Sequence, residues 1–224
     1  MLESFASSAD LARAAAGATQ AALAAAIDAR GAAVLVATGG RSPAPVYDLL
    51  AGAQLDWSAV TVTLSDDRFV APDAPESNER LVRERLLVGP AAAAAFVPLS
   101  SHAASVEEAA ARAEQPVRAL APYDVMLLGM GDDGHVASLI PGSPALDAGM
   151  DLGGAAYCIG IPAGAGSPPV ARVSLTLPAL LQARLTLILI SGAGKKAIIQ
   201  TGNGLPVHAL LEQAKAPVRI LWTP

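Results

Sequence analysis

The sequence lacks the cysteine pairs that stabilise many extracellular proteins and the long apolar runs of membrane proteins. Cys158 is the single cysteine among 224 residues, so no internal disulfide can form, and this favours a reducing compartment. No apolar run approaches the roughly 20 residues of a membrane span. The N-terminal segment also lacks the basic start of a signal peptide. We therefore expect a cytoplasmic protein with no membrane partner.

Aromatic and charged residues are scarce as well, at 4% and 16% of the chain, whereas hydrophobic residues make up 53%. Low hydrophobicity with high charge is the signature of disorder, and this composition is the opposite. A chain of 22.5 kDa can bury roughly 70% of its unfolded surface, which is enough for a core without metals or disulfides. We expect one domain over residues 1–224, with a core of Val, Leu, Ile and closely packed Ala.

Basic residues are outnumbered: the net charge is −5 and the isoelectric point about 5.1. Most non-specific affinity for nucleic acid comes from a basic surface, so we expect no nucleic-acid partner. An anionic ligand would have to be bound by a few clustered cations.

Short apolar runs alternate with helical patterns along the chain. Helices separate the predicted strands, and such crossovers produce a parallel sheet. We predict an α/β fold: a mostly parallel sheet with helices on both faces, Rossmann-like and doubly wound. Pro116 is expected to kink or end its helix early. The main predicted strands are 33–37, 60–64, 125–128, 185–190 and 218–222, and the longer predicted helices are 8–29 (capped by Ser8 or Asp10), 78–87, 105–120 and 207–213.

The most polar loops each follow a predicted strand. They span residues 38–43, 65–78 and 129–135. Because ligands bind beyond the carboxyl ends of parallel strands, these loops should share one edge of the sheet.

Residues 129–134 match the G-x-G-x-x-G pattern of dinucleotide-binding loops, but we reject that interpretation. Asp132 and Asp133 would lie where a pyrophosphate must approach the backbone, and like charges repel. Residues 191–196 make a still poorer phosphate loop, since Lys196 stands where Ser or Thr must bind magnesium.

Metal and serine-nucleophile chemistry are also poorly supported. His102, His135 and His208 are far apart in sequence, and the G-x-S-x-G elbow is absent. What remains is a histidine beside a carboxylate on a glycine-rich loop, with scattered cations. That set suits general-base activation of water.

Four blocks in order carry a resemblance to a known family. They are GMGDDGHVASLIPG at 129–142, TGGRSP at 38–43, DDRFV at 66–70 with Ser77 and Asn78, and RVSLT at 172–176 with Gly192 and Lys195. Together they are similar to the 6-phosphogluconolactonase family, within the glucosamine-6-phosphate isomerase/6-phosphogluconolactonase superfamily. The match spans nearly the whole chain.

The resemblance implies hydrolysis of 6-phospho-D-glucono-1,5-lactone to 6-phospho-D-gluconate in the pentose phosphate pathway, without metal or organic cofactor. His135 is then the candidate general base, because an imidazole with an ordinary pKa near 6.5 accepts protons at neutral pH. Asp133 is the candidate partner that orients its ring. Arg68 is assigned either to the oxyanion or to the phosphate, and the sequence leaves both open. The family is often monomeric, and we expect a monomer.

Phosphate and substrate binding are implied for a second set of residues. A phosphate dianion is bound well by backbone N–H groups at a helix start together with cations. Arg41, where the family has a small hydroxyl residue, either adds a cation or points to solvent. Asn78 is equally a candidate helix N-cap, and Asp67 replaces the usual Glu with no assigned role. The full set is Gly39, Gly40, Arg41, Ser42, Asp66, Asn78, Arg172 and Lys195.

Two alternatives compete with lactone hydrolysis. A glucosamine-6-phosphate deaminase/isomerase-like enzyme would carry a carboxylate five residues after the histidine, and Ile140 stands there instead. A non-catalytic sugar-phosphate-binding sensor would need an effector domain, for which no sequence remains.

Overall fold

A computed structural model describes residues 1–100 and 103–224. His102, interpreted above as an ordinary histidine, lies outside the described residues. In chain order, the strands are β1 (Leu2–Ser4), β2 (Ala33–Ala37), β3 (Val60–Leu64), β4 (Asp66–Arg68), β5 (Ala95–Phe96), β6 (Val125–Gly129), β7 (Cys158–Ile161), β8 (Arg172–Leu175), β9 (Thr186–Ser191) and β10 (Val218–Thr223). The helices are α1 (Ser8–Arg30), α2 (Ala44–Ala51), α3 (Asn78–Arg85), α4 (Val106–Ala119), α5 (Leu146–Met150), α6 (Leu177–Leu180), α7 (Ala193–Thr201) and α8 (Pro206–Gln213).

Within these described ranges, seven strands form one parallel sheet in the order β1-β10-β9-β6-β2-β3-β5. The predicted α/β fold with a mostly parallel, doubly wound sheet is confirmed. From β2 the chain proceeds outward through β3 to β5, and from β6 it proceeds outward the other way. The switch point therefore lies between β2 and β6, where such sheets bind their ligands.

A second, three-stranded antiparallel sheet in the described chain has the order β4-β8-β7. The sequence does not predict it, because strands of three or four residues give too short an alternation to be read. Its register pairs Asp66 with Ser174 and Arg68 with Arg172. The side chains of these four residues therefore lie on the same face of the small sheet.

The apolar runs that were predicted as strands form the centre of the hydrophobic core. The central strands are buried on both faces, as expected for a parallel sheet between helices: Leu35 and Leu127 on one face and Val36 and Leu128 on the other are all at 0% exposure. Along α1, alanines such as Ala15 are also fully buried, so this helix approaches the sheet closely. No described helix has the length and apolar character that crossing a membrane requires.

Two helix boundaries correct the sequence predictions. Helix α1 is capped by Ser7, whose side chain accepts the Asp10 N–H at 3.1 Å, rather than by Ser8 or Asp10. Helix α4 continues through Pro116 to Ala119. Val117, one residue later, is completely buried and keeps the last turn packed, so the loss of one backbone hydrogen bond does not end the helix.

Candidate active site

A cavity of about 540 Å³ opens at the carboxyl ends of the parallel strands, around the switch point. The predicted polar loops do meet at this edge of the sheet. Of the site residues proposed from the sequence, all but Asp133 line the cavity, and Asp133 contacts one that does. Those on the wall are Gly39, Gly40, Arg41, Ser42, Asp66, Arg68, Asn78, His135, Arg172 and Lys195.

His135 and Asp133 form a close pair on the histidine loop (residues 129–135), which follows β6. Asp133 Oδ1 lies 2.6 Å from His135 Nδ1 and also accepts the His135 backbone N–H at 3.2 Å. Partial burial raises the pKa of Asp133, but the charge of His135 and these hydrogen bonds outweigh it, so the pKa lies below its usual value. An ionised carboxylate at Nδ1 favours a proton on that nitrogen, which leaves Nε2 as the basic atom.

Glycines create the space that this pair occupies. Gly131 donates to the His135 carbonyl at 2.9 Å, and Gly134 donates to the Gly131 carbonyl at 3.1 Å, which closes the turn. A Cβ on Gly131 would lie 2.1 Å from His135 Nδ1 and 2.5 Å from Asp133 Oδ1. Gly134 has a φ of 78°, a conformation that L side chains rarely adopt. The loop therefore needs glycine at both positions to present the imidazole.

The anion loop (residues 38–43) connects β2 to α2. Gly40 has a φ of 99°, and a Cβ on Gly39 would collide with the Asn78 side-chain amide. The buried Tyr47 hydroxyl donates to the Thr38 carbonyl at 2.6 Å and accepts the Thr38 N–H at 2.8 Å, which fixes the start of the loop. Arg41 is exposed at the rim of the cavity.

Arg68 and Asn78 lie beside the anion loop. Arg68 Nη1 donates to the Glu76 carbonyl at 2.5 Å and to Asn78 Oδ1 at 3.0 Å, and Asn78 Nδ2 donates to the Asp66 carbonyl at 2.8 Å. Asn78 is not the N-cap of α3, since Ser77 takes that position and accepts the Arg80 N–H. Its side chain instead holds Arg68 against the cavity.

Asp67 lies behind the wall, at the start of α3. Its carboxylate accepts the N–H groups of Asn78 at 2.6 Å, Arg68 at 2.7 Å and Glu79 at 3.2 Å. Burial raises the pKa of Asp67 to about 6, although these hydrogen bonds oppose the shift. Asp67 thus anchors the segment that carries Arg68 and Asn78, a role that the sequence did not indicate.

Arg172 is almost fully buried yet reaches the cavity wall. Its Nη2 donates to the Pro168 carbonyl at 3.0 Å and its Nη1 to Ser138 Oγ at 3.4 Å. Burial lowers the pKa of Arg172 and the nearby charge of Arg68 lowers it further, against the opposing effect of Asp66. Within the ranges that the structure describes, the buried Nε atoms of Arg68 and Arg172 have no hydrogen-bond partner. Both side chains line the cavity, and guanidinium groups there are suited to an anion.

Lys195 lies across the cavity on the first turn of α7. Its Nζ donates to the Met130 carbonyl at 2.5 Å and lies 3.8 Å from the exposed Asp132 carboxylate. Trp222 Nε1 donates to the carbonyl of Gly192 at 2.9 Å, which fixes the residue that precedes α7. The cations are therefore on two sides of the cavity, the arginines near β8 and the lysine near the histidine loop.

The sequence interpretation missed Ser138, which contacts both Asp66 and Arg172 from behind the wall. The only signal for it was its place in the 129–142 block. Ile140, where the deaminase pattern has a carboxylate, is buried. Across residues 1–100 and 103–224, no group of three or more His, Cys, Asp or Glu side chains is arranged to hold a metal ion.

Known proteins match this chain over nearly its whole length. The family model "Glucosamine-6-phosphate isomerases/6-phosphogluconolactonase" matches residues 6–222. A 6-phosphogluconolactonase from Caulobacter vibrioides is 47% identical over 223 residues, covering 99% of this chain and 96% of that protein. One from Pseudomonas putida is 43% identical, covering 90% and 84%. The crystal structure of a 6-phosphogluconolactonase from Shewanella baltica has a TM-score of 0.92 at 34% identity, covering 100% and 97%.

Proposed function

The chain belongs to the family of glucosamine-6-phosphate isomerases and 6-phosphogluconolactonases, and we propose that it is a lactonase that converts 6-phospho-D-glucono-1,5-lactone to 6-phospho-D-gluconate in the pentose phosphate pathway. The observation that carries the proposal is the 2.6 Å contact between Asp133 and His135, in a cavity that is also lined by the anion loop and by three cations outside that loop. A base and an anion site share one cavity, which is what hydrolysis of a phosphorylated ester needs.

His135 acts as the general base in this proposal. With Nδ1–H held by Asp133, Nε2 takes a proton from water as the oxygen attacks C1 of the lactone. The bond from C1 to the ring oxygen then breaks. The imidazolium returns the proton to that oxygen, which becomes the hydroxyl of the open-chain product. Water is consumed, and the C1 carboxyl group formed loses its proton to solvent.

Arg68 is assigned to the oxyanion that forms on C1. Its Nη1 is held by Glu76 and Asn78, and its side chain lines the cavity. A charged donor fixed before the reaction stabilises developing charge without reorganisation.

Phosphate binding is assigned to the anion loop together with Arg172 and Lys195. The loop offers backbone N–H groups before α2, and the two cations lie on the cavity wall. Gly39, Gly40 and Ser42 belong to this site, and Arg41 lies at its rim. Asp66 is assigned to a substrate hydroxyl, because a carboxylate accepts such hydrogen bonds.

The test is an assay of lactone opening, by pH-stat or a coupled reaction, run against the spontaneous background. We expect rapid opening of the phosphorylated lactone and little of glucono-1,5-lactone. Lys195→Ala should raise KM roughly tenfold, the value of one charged hydrogen bond, with a smaller change in kcat. Equal turnover of the two lactones would refute the phosphate site, and ammonia release from glucosamine 6-phosphate at a comparable rate would favour the deaminase alternative.

The proposal extends to assembly and location. From the family resemblance we also propose a single-domain monomer, with the cytoplasm as its location, where Cys158 stays reduced. Sedimentation of the active enzyme at assay concentration would test the monomer.

A further inference from the structure

Ser138 is buried behind the cavity wall, three residues after His135, with 0% exposure. Its hydroxyl donates to Asp66 Oδ2 at 2.6 Å and accepts from Arg172 Nη1 at 3.4 Å. Its backbone N–H donates to Ser174 Oγ at 3.0 Å. One small side chain therefore lies between a carboxylate and a guanidinium that both reach the cavity.

The small antiparallel sheet places these two charges close together. Asp66 pairs with Ser174, and Arg68 pairs with Arg172, so Asp66 and Arg172 are diagonal neighbours on the same face. Diagonal neighbours are within reach of a long side chain. Both residues are buried, at 5% and 3% exposure, where opposite charges attract strongly.

Nevertheless, Asp66 and Arg172 form no direct ion pair within the described part of the chain. The Ser138 hydroxyl occupies the space between them and satisfies one oxygen of the carboxylate and one nitrogen of the guanidinium. A direct two-bond Arg–Asp pair would use the donors that an anionic ligand needs.

We propose that Ser138 is a positioning residue that keeps Asp66 and Arg172 apart, so that both charges stay available to the substrate. This inference rests on the proposed function, since it assigns Arg172 to the substrate phosphate. Without the hydroxyl, Arg172 turns toward Asp66 and binds it directly, and the anion site loses a cation while His135 and Asp133 keep their geometry.

A double-mutant cycle tests the mechanism. Ser138→Ala should raise KM for the phosphorylated lactone roughly tenfold, and weaken 6-phosphogluconate binding in calorimetry equally, with kcat within about threefold. In an Asp66→Asn background no carboxylate captures Arg172, so the same substitution should change KM by less than about threefold. Equal losses in both backgrounds would overturn the proposal.

Two comparisons separate positioning from general loosening of the wall. Ser138→Thr keeps the hydroxyl and should restore KM to within about threefold of the parent value. Ser143→Ala removes a different buried hydroxyl, which contacts neither the two charges nor Ser138, and should leave KM unchanged; a tenfold rise there would contradict the proposal. If Ser138→Ala does not fold, Ser138→Cys keeps the volume with a weak donor, and the same cycle applies.

Different results would disprove the proposed function and the proposed role of Ser138. If the unmodified enzyme neither opens the lactone nor binds 6-phosphogluconate, the proposed function is wrong. If it does both and Ser138→Ala (or Ser138→Cys) matches it, only the role of Ser138 is wrong.

Discussion

Buried charges are treated differently at the two ends of the main sheet. At the amino ends of the strands, the buried Asp124 carboxylate accepts the Val34 N–H at 2.9 Å, contacts Arg30 and lies 3.4 Å from Arg184. At the carboxyl ends, the Nε atoms of Arg68 and Arg172 are buried without a partner in the described chain. The first set of charges is saturated by protein groups and the second is not.

This difference indicates which end contributes stability and which contributes function. A buried polar group without a partner costs stability, and such costs are tolerated at functional sites. Backbone conformation also distinguishes the carboxyl ends. Among the described residues, Ala137 is the one non-glycine residue with positive φ, and it lies on the cavity wall. Strain of this kind concentrates at functional sites.

The largest expected effect is at the functional end. His135→Ala removes the proposed base, so kcat for the phosphorylated lactone should fall roughly 10²–10⁴-fold. Binding of 6-phosphogluconate should survive, because the anion loop and cations are untouched. Calorimetry and the lactone assay measure the two properties separately. Full activity in this variant would remove His135 from the mechanism.

Gly131→Ala tests whether the shape of the histidine loop matters as much as its chemistry. The new Cβ would displace the imidazole, and a misplacement of about 1 Å costs on the order of 10²-fold in rate. Gly17→Ala is the matched control, because a Cβ there meets nothing within 4 Å. Similar kcat values for the two variants would show that the loop tolerates displacement of the ring.

Asp124→Ala tests the stabilising end. It leaves the Val34 N–H and two arginines without their acceptor, so the free energy of unfolding should fall by about 2–3 kcal/mol. Below the unfolding transition, kcat and KM should be unchanged. Denaturant titration and enzyme kinetics on the same samples check both statements. A large loss of kcat in the fully folded variant would show that the amino ends of the strands also contribute to catalysis.

The smallest expected effect is the pH dependence of stability that Asp67 causes. Unlike Asp124 at the amino ends, this buried carboxylate at the carboxyl ends of the strands has no arginine side chain as a partner in the described structure. Its folded pKa of about 6 exceeds the ordinary 3.8, so its contribution to stability is complete below about pH 4 and is lost as the pH rises through 6. From pH 7 to pH 5, the unmodified protein should gain about 1 kcal/mol relative to Asp67→Asn. Urea titrations of both proteins at the two pH values measure it, and parallel pH dependence would contradict the expectation.

For physical reasons, the sequence predicted the histidine pair and five strands of the main sheet (β2, β3, β6, β9 and β10), but not its short edge strands β1 and β5. Buried parallel strands are continuous apolar runs, and Asp133 reaches His135 within one turn, so both are local features. The contacts of Ser138 could not be predicted, because Asp66 and Arg172 lie 72 and 34 positions away from it and come together only when β4 pairs with β8. The need for glycine at position 131 could not be predicted either, because it depends on where the His135 ring lies in the folded chain.

The switch point between β2 and β6 also has a consequence for folding kinetics. Val34 and Asp124 are 90 positions apart where these strands meet, and contacts of such separation form slowly. The first half of the chain supplies the anion loop, while the second supplies the imidazole. During refolding, we therefore expect enzymatic turnover to recover only after the two halves have joined, later than the local helices form.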